Sequence, residues 1–310
     1  MKYMSKTKKA VISITGGLIL GLASLAYITH EKASQYTTTQ IIKQTVRPVA
    51  EGESIANAFV IDYKTGFSVQ SSEVFANKID LMLMQAKKGD YLVLNISSGG
   101  GAVVSCSHDV EQVQRVERLG IKTMSIIDYQ AASCGYMLAA ETNFITASRG
   151  AIVGNIGSVF KRGASPMEML EKKSGIKSHY IGSTRTKEIL AGAPLETKAD
   201  IALLRSMAMR SMNEFKDVVV KGRGSRIKES DYTEIFSAMY WSGLEALELG
   251  LVDNISNYRE MIEDLQLTNH TIYKIDYSEN KGFLENLVSS VMNTAKKELE
   301  IDSNIRLIMQ

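Results

Sequence analysis

The chain has 310 residues, 45% apolar and 23% charged, with a net charge of +2. This is an ordinary globular composition, long enough for one large domain or two small ones, and its near-neutral balance gives no electrostatic signal for nucleic acid. Two cysteines, Cys106 and Cys134, and four scattered histidines make neither a disulfide framework nor a metal-ligand pattern, so no metal or other cofactor is expected; a single bridge between the cysteines is left open.

The N-terminal segment carries Lys2, Lys6, Lys8 and Lys9, and an uncharged run follows from Ala10 to His30. A spanning helix needs roughly 20 mostly apolar residues, so residues 10–30 are expected to form a transmembrane anchor. Lysines before the span stay in the cytoplasm. Residues 1–9 are therefore a cytoplasmic tail, and the body of this single-pass protein of the inner or cell membrane lies outside the cytoplasm. The rival is a cleaved signal peptide, with Ser24-Leu25-Ala26 as the small-x-small site; the apolar run continues past it through Tyr27 and Ile28, which favours the anchor. Residues 31–54 are polar, rich in Thr and Gln, and read as a tether.

A domain-like pattern begins at residue 55. Phe59–Tyr63 has strand character. Val74 to Lys87 repeats apolar residues at helical spacing, and Tyr91–Ser97 is a buried-strand run ending in Gly99-Gly100-Gly101. Ser105–Leu119 is an amphipathic helix stopped by Gly120. Lys122–Ile127 is a strand leading into AASCGYMLAAE, Ala131 to Glu141, a small-residue turn followed by an apolar helix. Two short strand-like runs follow, NFITAS and AIVGNIGSVF. Helices are expected over Ala199–Val220 and Gly243–Leu249. The pattern weakens after residue 258, leaving 259–310 as an extension with an amphipathic helix at Gly282–Glu300, which packs on its own core or meets an oligomer or membrane surface. Alternating strands and helices predict an α/β fold with parallel pairing.

Two junctions carry the chemistry. At each, a strand ends in small residues and feeds a helix, whose first N–H groups point outward with partial positive charge. Two such groups from different turns can converge on one developing oxyanion. Ser133 lies between them. It is either the ordinary N-cap of its helix or a nucleophile presented beside the hole. The glycine run has the plain-turn alternative, and Cys134 that of a small buried residue; no suitably placed histidine supports it as a nucleophile.

The ordered set of motifs resembles the signal peptide peptidase A family of serine proteases, and its SohB-type members in particular. SSGGGAV is similar to that family's S-P-G-G loop, AASCGYMLAA to its nucleophile segment A-A-S-G-G-Y-x-x-A, Gly154–Ser158 to its G-S-I-G segment, and Trp241–Ile255 to its closing W-x-G-x-x-A-x-x-x-G-L-V-D. The resemblance spans residues 55–258 and implies the ClpP/crotonase-like spiral of strand-strand-helix units. It also implies an apolar-peptide groove, membrane attachment and a homo-oligomer, in some members with serine and base on adjacent subunits. Ser133 is then the nucleophile and Lys187, before the L-x-G-x-x-x-x-T pattern, the general base. The backbone N–H groups of Gly100 and Cys134 form the oxyanion hole. Lys187 has the alternative of a solvated surface lysine, with Lys172, Lys173 and Lys177 nearby. Departures from the family pattern are Ser98 for proline, Cys134 for glycine and Asn155 for serine. The function implied is a membrane-anchored Ser-Lys endopeptidase acting on membrane-associated or signal peptides. The alternatives are a silent membrane scaffold of the same fold and a crotonase-like acyl-CoA enzyme.

Overall fold

The computed structural model describes residues 37–44, 56–160, 175, 179–193 and 197–279. The basic tail and anchor of residues 1–30, Lys172, Lys173, Lys177 and the amphipathic stretch 282–300 lie outside the described residues. Among the described residues no helix is long and apolar enough to cross a membrane. Two units divide the chain: Ile41–Asp276, and a second comprising Met1–Gln40 with Tyr277–Gln310. Within the expected tether, Thr37–Gln44 is a strand, β1.

In the larger unit the strands β2 (Ala56–Tyr63), β3 (Tyr91–Ser98) and β4 (Lys122–Ala132) are buried along most of their length. Burial on both faces is why they read as near-continuous apolar runs rather than alternating ones. Helix α1 (Val69–Leu83) connects β2 to β3 and starts earlier than the apolar periodicity indicates, because Ser68 and Ser71 form a reciprocal capping box. Helix α2 (Val103–Arg118) connects β3 to β4, with Arg115 and Arg118 in its last turn, where cations suit the helix dipole. Helix α3 (Cys134–Glu141) follows β4, and all eight of its residues are buried.

Strands β5 (Phe144–Ala147) and β6 (Ile152–Gly154) come next, then α4 (Arg185–Ala191) and the long α5 (Lys198–Arg223), which starts at a Thr197–Asp200 capping box. Strand β7 (Tyr240–Ser242) leads into α6 (Gly243–Glu248) and β8 (Asn254–Ile255). Helix α7 (Tyr258–Leu267) and strand β9 (His270–Glu279) complete the described chain.

The sheet runs β9–β2–β3–β4–β5–β8, and every neighbouring pair in that order is parallel. It therefore continues beyond residue 258, where the local pattern fades: Ala56–Ile61 pairs with His270–Ile275. Strand β4 also outruns its expected end at Ile127. It pairs with β5 through Ile127, then turns to β6 through Gln130, Ala131 and Ala132. Those last residues have no strand-like apolar alternation, and their pairing partner lies far along the chain, so local pattern is silent about them.

One sheet face buries Phe59, Ile61, Leu92, Leu94 and Ile96 against residues of α1, α2, α3 and α5. The other buries Ala58, Val60, Val93 and Ile126 under Met261, Ile262 and Leu265 of α7. The closing motif has a structural role here. Asp253 takes two hydrogen bonds from the fully buried Arg223, at 3.0 and 2.7 Å, and one from the Ile145 amide at 2.8 Å. The pair pins the end of α5 to β5. Asp253→Ala leaves a buried guanidinium without its counter-charge, a loss of about 3–5 kcal/mol. The expected result is a melting temperature lower by about 10 °C or more, read by circular dichroism; an unchanged melting curve refutes this role.

Candidate active site

The two strand-to-helix junctions lie side by side because β3 and β4 are adjacent and parallel. A register shift after Ile96 sets Ser98 opposite Ala131, which brings the ends of both strands level. In an open parallel sheet, this carboxyl end is where ligands bind.

Ser133 alone makes the turn from β4 into α3. Its backbone sits at φ 54°, ψ −125°, and its side chain makes no capping hydrogen bond. Ser133 thus stands at the N-cap position without a side-chain capping bond. A positive φ in a non-glycine residue costs on the order of 1–3 kcal/mol. The surroundings hold the turn in place: the Ser133 amide donates to the Gly154 carbonyl at 2.9 Å, and its own carbonyl accepts from Tyr136 and Met137 at 2.9 and 3.0 Å.

The glycine loop closes directly over it. Gly100 has φ 107°, and a Cβ there would come 2.7 Å from Ser133 Cβ and 3.0 Å from Ser133 Oγ. Any side chain at this position would crowd the Ser133 side chain. Gly135, two residues after Ser133, is equally constrained, since a Cβ would meet the Ser98 carbonyl at 2.6 Å. Cys134 is the first residue of α3, so its N–H has no acceptor within its own helix. The Gly100 amide is placed differently from a free donor: it donates to Ser98 Oγ at 3.2 Å. Ser98 stands where the resembling motif has proline, and its hydroxyl supplies this internal acceptor.

Ser133 opens onto a cavity of about 210 Å³. Val103, Met137, Phe215 and Ala238 give it apolar walls, while Ser158, Ser211 and Asn155 add polar edges. Asn155 has φ 51°; its amide side chain donates to the Ala238 carbonyl at 2.8 Å and its backbone N–H to the Met239 carbonyl at 2.6 Å. Its hydrogen-bonding capacity goes into holding the β6–β7 corner. Among the described residues no histidine, carboxylate or lysine lines the cavity, and no cluster of side chains suits a metal ion.

Lys187 is in the first turn of α4, exposed, with its backbone N–H capped by Thr184 Oγ1 at 3.3 Å. The structure thus brings Ser133, Cys134 and Gly100 together, and it does not place Lys187 among the residues lining their cavity. The cavity walls were absent from the sequence-derived site. Phe215 belongs to the apolar stripe of α5, and such a stripe cannot say which of its members reach a cavity. The pairing of Cys106 with Cys134, left open by the sequence, is formed here, with Cα atoms 5.4 Å apart.

Similarity to known proteins agrees with this geometry. The model of peptidase family S49 matches residues 116–271, half of the chain, a segment containing Ser133, Lys187 and the closing motif. A protein named "Probable protease SohB" from Buchnera aphidicola (Acyrthosiphon pisum) is 27% identical over 248 residues, covering 78% of this chain and 70% of that one. The protein of the same name from Haemophilus influenzae is 25% identical over 235 residues, covering 76% of this chain and 65% of that one. With a strained serine under a glycine loop at the carboxyl end of a parallel sheet, and a match across half its length, the chain belongs to peptidase family S49.

Proposed function

We propose that the chain is a membrane-anchored serine endopeptidase of the ClpP/crotonase-like class, cleaving apolar, membrane-associated peptides such as spent signal peptides. The observation that carries this is the backbone of Ser133, held at positive φ with an uncapped hydroxyl beneath Gly100. Ser133 Oγ attacks the scissile carbonyl, its proton passes to the base, and the acyl-enzyme is then hydrolysed by water. The Cys134 N–H stabilises the oxyanion; the Gly100 N–H joins it by exchanging Ser98 Oγ for the substrate oxygen. The apolar walls formed by Val103, Met137 and Phe215 favour apolar substrate side chains.

Lys187 is the base in this reading. A lysine accepts a proton only when neutral, and the neutral form is favoured by removal from water. Lys187 is exposed in a single subunit, so we assign its burial to a neighbouring subunit of a homo-oligomer, over whose Ser133 it closes. The anchor at residues 10–30 holds that oligomer at the membrane with its catalytic domain outside the cytoplasm.

A second reading, a silent scaffold, draws on the Gly100 amide being bonded to Ser98. One experiment separates the two. Full-length chain, extracted from the membrane fraction with detergent, is incubated with apolar and with charged peptides and with a fluorophosphonate probe. Cleavage of the apolar peptides with labelling at Ser133 is expected. Absence of both from a folded oligomer establishes the scaffold, and recovery of the chain in the soluble fraction rejects the anchor.

A further inference from the structure

Cys106 lies on α2, the helix that begins where the glycine loop ends, and Cys134 directly follows Ser133. Their sulfurs are joined, and both residues line the cavity onto which Ser133 opens. The bridge therefore connects the two backbone segments that carry the oxyanion donors. We propose that Cys106 is a positioning residue: through its bond to Cys134 it sets the separation of the oxyanion donors, and reduction of the bridge lowers turnover. This rests on the reading of Ser133 as the nucleophile.

The physical argument is one of space. Bonded sulfurs sit closer than non-bonded atoms can, and two thiols must separate to van der Waals contact, about 3.5–4 Å for heavy atoms. Cys106 and Cys134 are 1% and 4% exposed, and they pack in one core with Val110, Met137 and Phe215. A close-packed interior leaves the side chains little room to swing aside. The displacement then passes to the backbone of α2 and α3, and Cys134 Cβ is only two bonds from the nitrogen that donates to the oxyanion. A shift of about 1 Å at a catalytic group costs about 10²-fold, and loss of one oxyanion donor costs about 10²–10³-fold in kcat.

The chemistry is thiol–disulfide exchange with a dithiol. One thiolate of the reductant attacks a bridge sulfur and releases the other cysteine, which takes up a proton. The second thiol of the reductant then closes its own disulfide and frees the remaining cysteine. Two electrons and two protons pass to the protein. Both cysteines line the cavity onto which Ser133 opens, and the cavity is the side from which a small dithiol approaches the bridge.

The test uses full-length protein purified without reductant. Peptide mapping by mass spectrometry, with and without dithiothreitol, shows whether Cys106 and Cys134 are linked. Turnover of an apolar peptide is measured before reduction, after it, and after reoxidation. The expected result is a linked pair, a fall in kcat of tenfold or more on reduction with KM within about twofold, and recovery on reoxidation. Cys106→Ser matches the reduced enzyme and does not respond to dithiothreitol. If that variant does not fold, the reduced wild type, with its circular dichroism spectrum retained, decides the matter. A linked pair whose reduction leaves kcat unchanged overturns the proposal, as do free thiols in the fully active enzyme. The failure of the underlying reading looks different: Ser133→Ala then retains cleavage, and the positioning role falls with it. If Ser133→Ala is inactive while reduction has no effect, only the role of the bridge is lost.

Discussion

Ser133→Ala is expected to lower peptide cleavage by about 10⁴–10⁶-fold, the scale on which serine hydrolases respond to loss of the nucleophile. Fluorophosphonate labelling should disappear with it. The fold should survive, because the Ser133 side chain makes no capping bond whose loss would weaken α3, and alanine tolerates φ 54° no worse than serine does. This separates the variant from one that merely unfolds. Ser133→Gly gives a companion result. It is equally inactive, yet it relieves a backbone strain of about 1 kcal/mol or more, so its melting temperature rises. Full cleavage by folded Ser133→Ala sinks the assignment.

Lys187→Ala is expected to remove general-base assistance to acylation, a loss of about 10²–10⁴-fold. Lys187→Arg does not restore it, since a guanidinium stays protonated. Lys187 is exposed on its own subunit, which gives the prediction a second readout. Mixed oligomers of Ser133→Ala and Lys187→Ala regain activity if the two residues act across an interface, because some sites then pair an intact serine with an intact lysine. Homo-oligomers of either variant stay inactive. Lys177→Ala should turn over peptide as the wild type does. If Lys187→Ala keeps full turnover and Lys177→Ala is inactive, the base has been placed ten residues too late. If both keep full turnover, the lysine-base mechanism is lost and another group must be sought. If the mixed oligomers stay inactive while Lys187→Ala is also inactive, serine and lysine act within one subunit.

Much of this was legible from residue order because the chemistry is built on short, locally encoded turns. Gly99-Gly100-Gly101 after one buried apolar strand, and Ala132-Ser133-Cys134 after the next, mark positions where the backbone must approach closely or turn sharply. Few residue types tolerate either. The helices from Val103 and Lys198 announced themselves by periodicity. Their starts were less clear: Thr197 and Asp200 form a cap that sequence displays, whereas the start of α1 depends on a Ser68–Ser71 exchange outside the usual capping pattern.

By itself, then, the sequence determined the α/β class and the two strand-to-helix turns, one at the glycine run and one at Ser133. Each depends on steric limits at one backbone position or on side-chain periodicity within one element. Tertiary structure alone decided the rest. It joined Cys106 to Cys134, extended the sheet through β9, and left Lys187 exposed on α4. These outcomes depend on which segments distant in sequence become neighbours in space. Strand pairing and close packing settle that only when the whole core assembles, and no local pattern of residues carries the information.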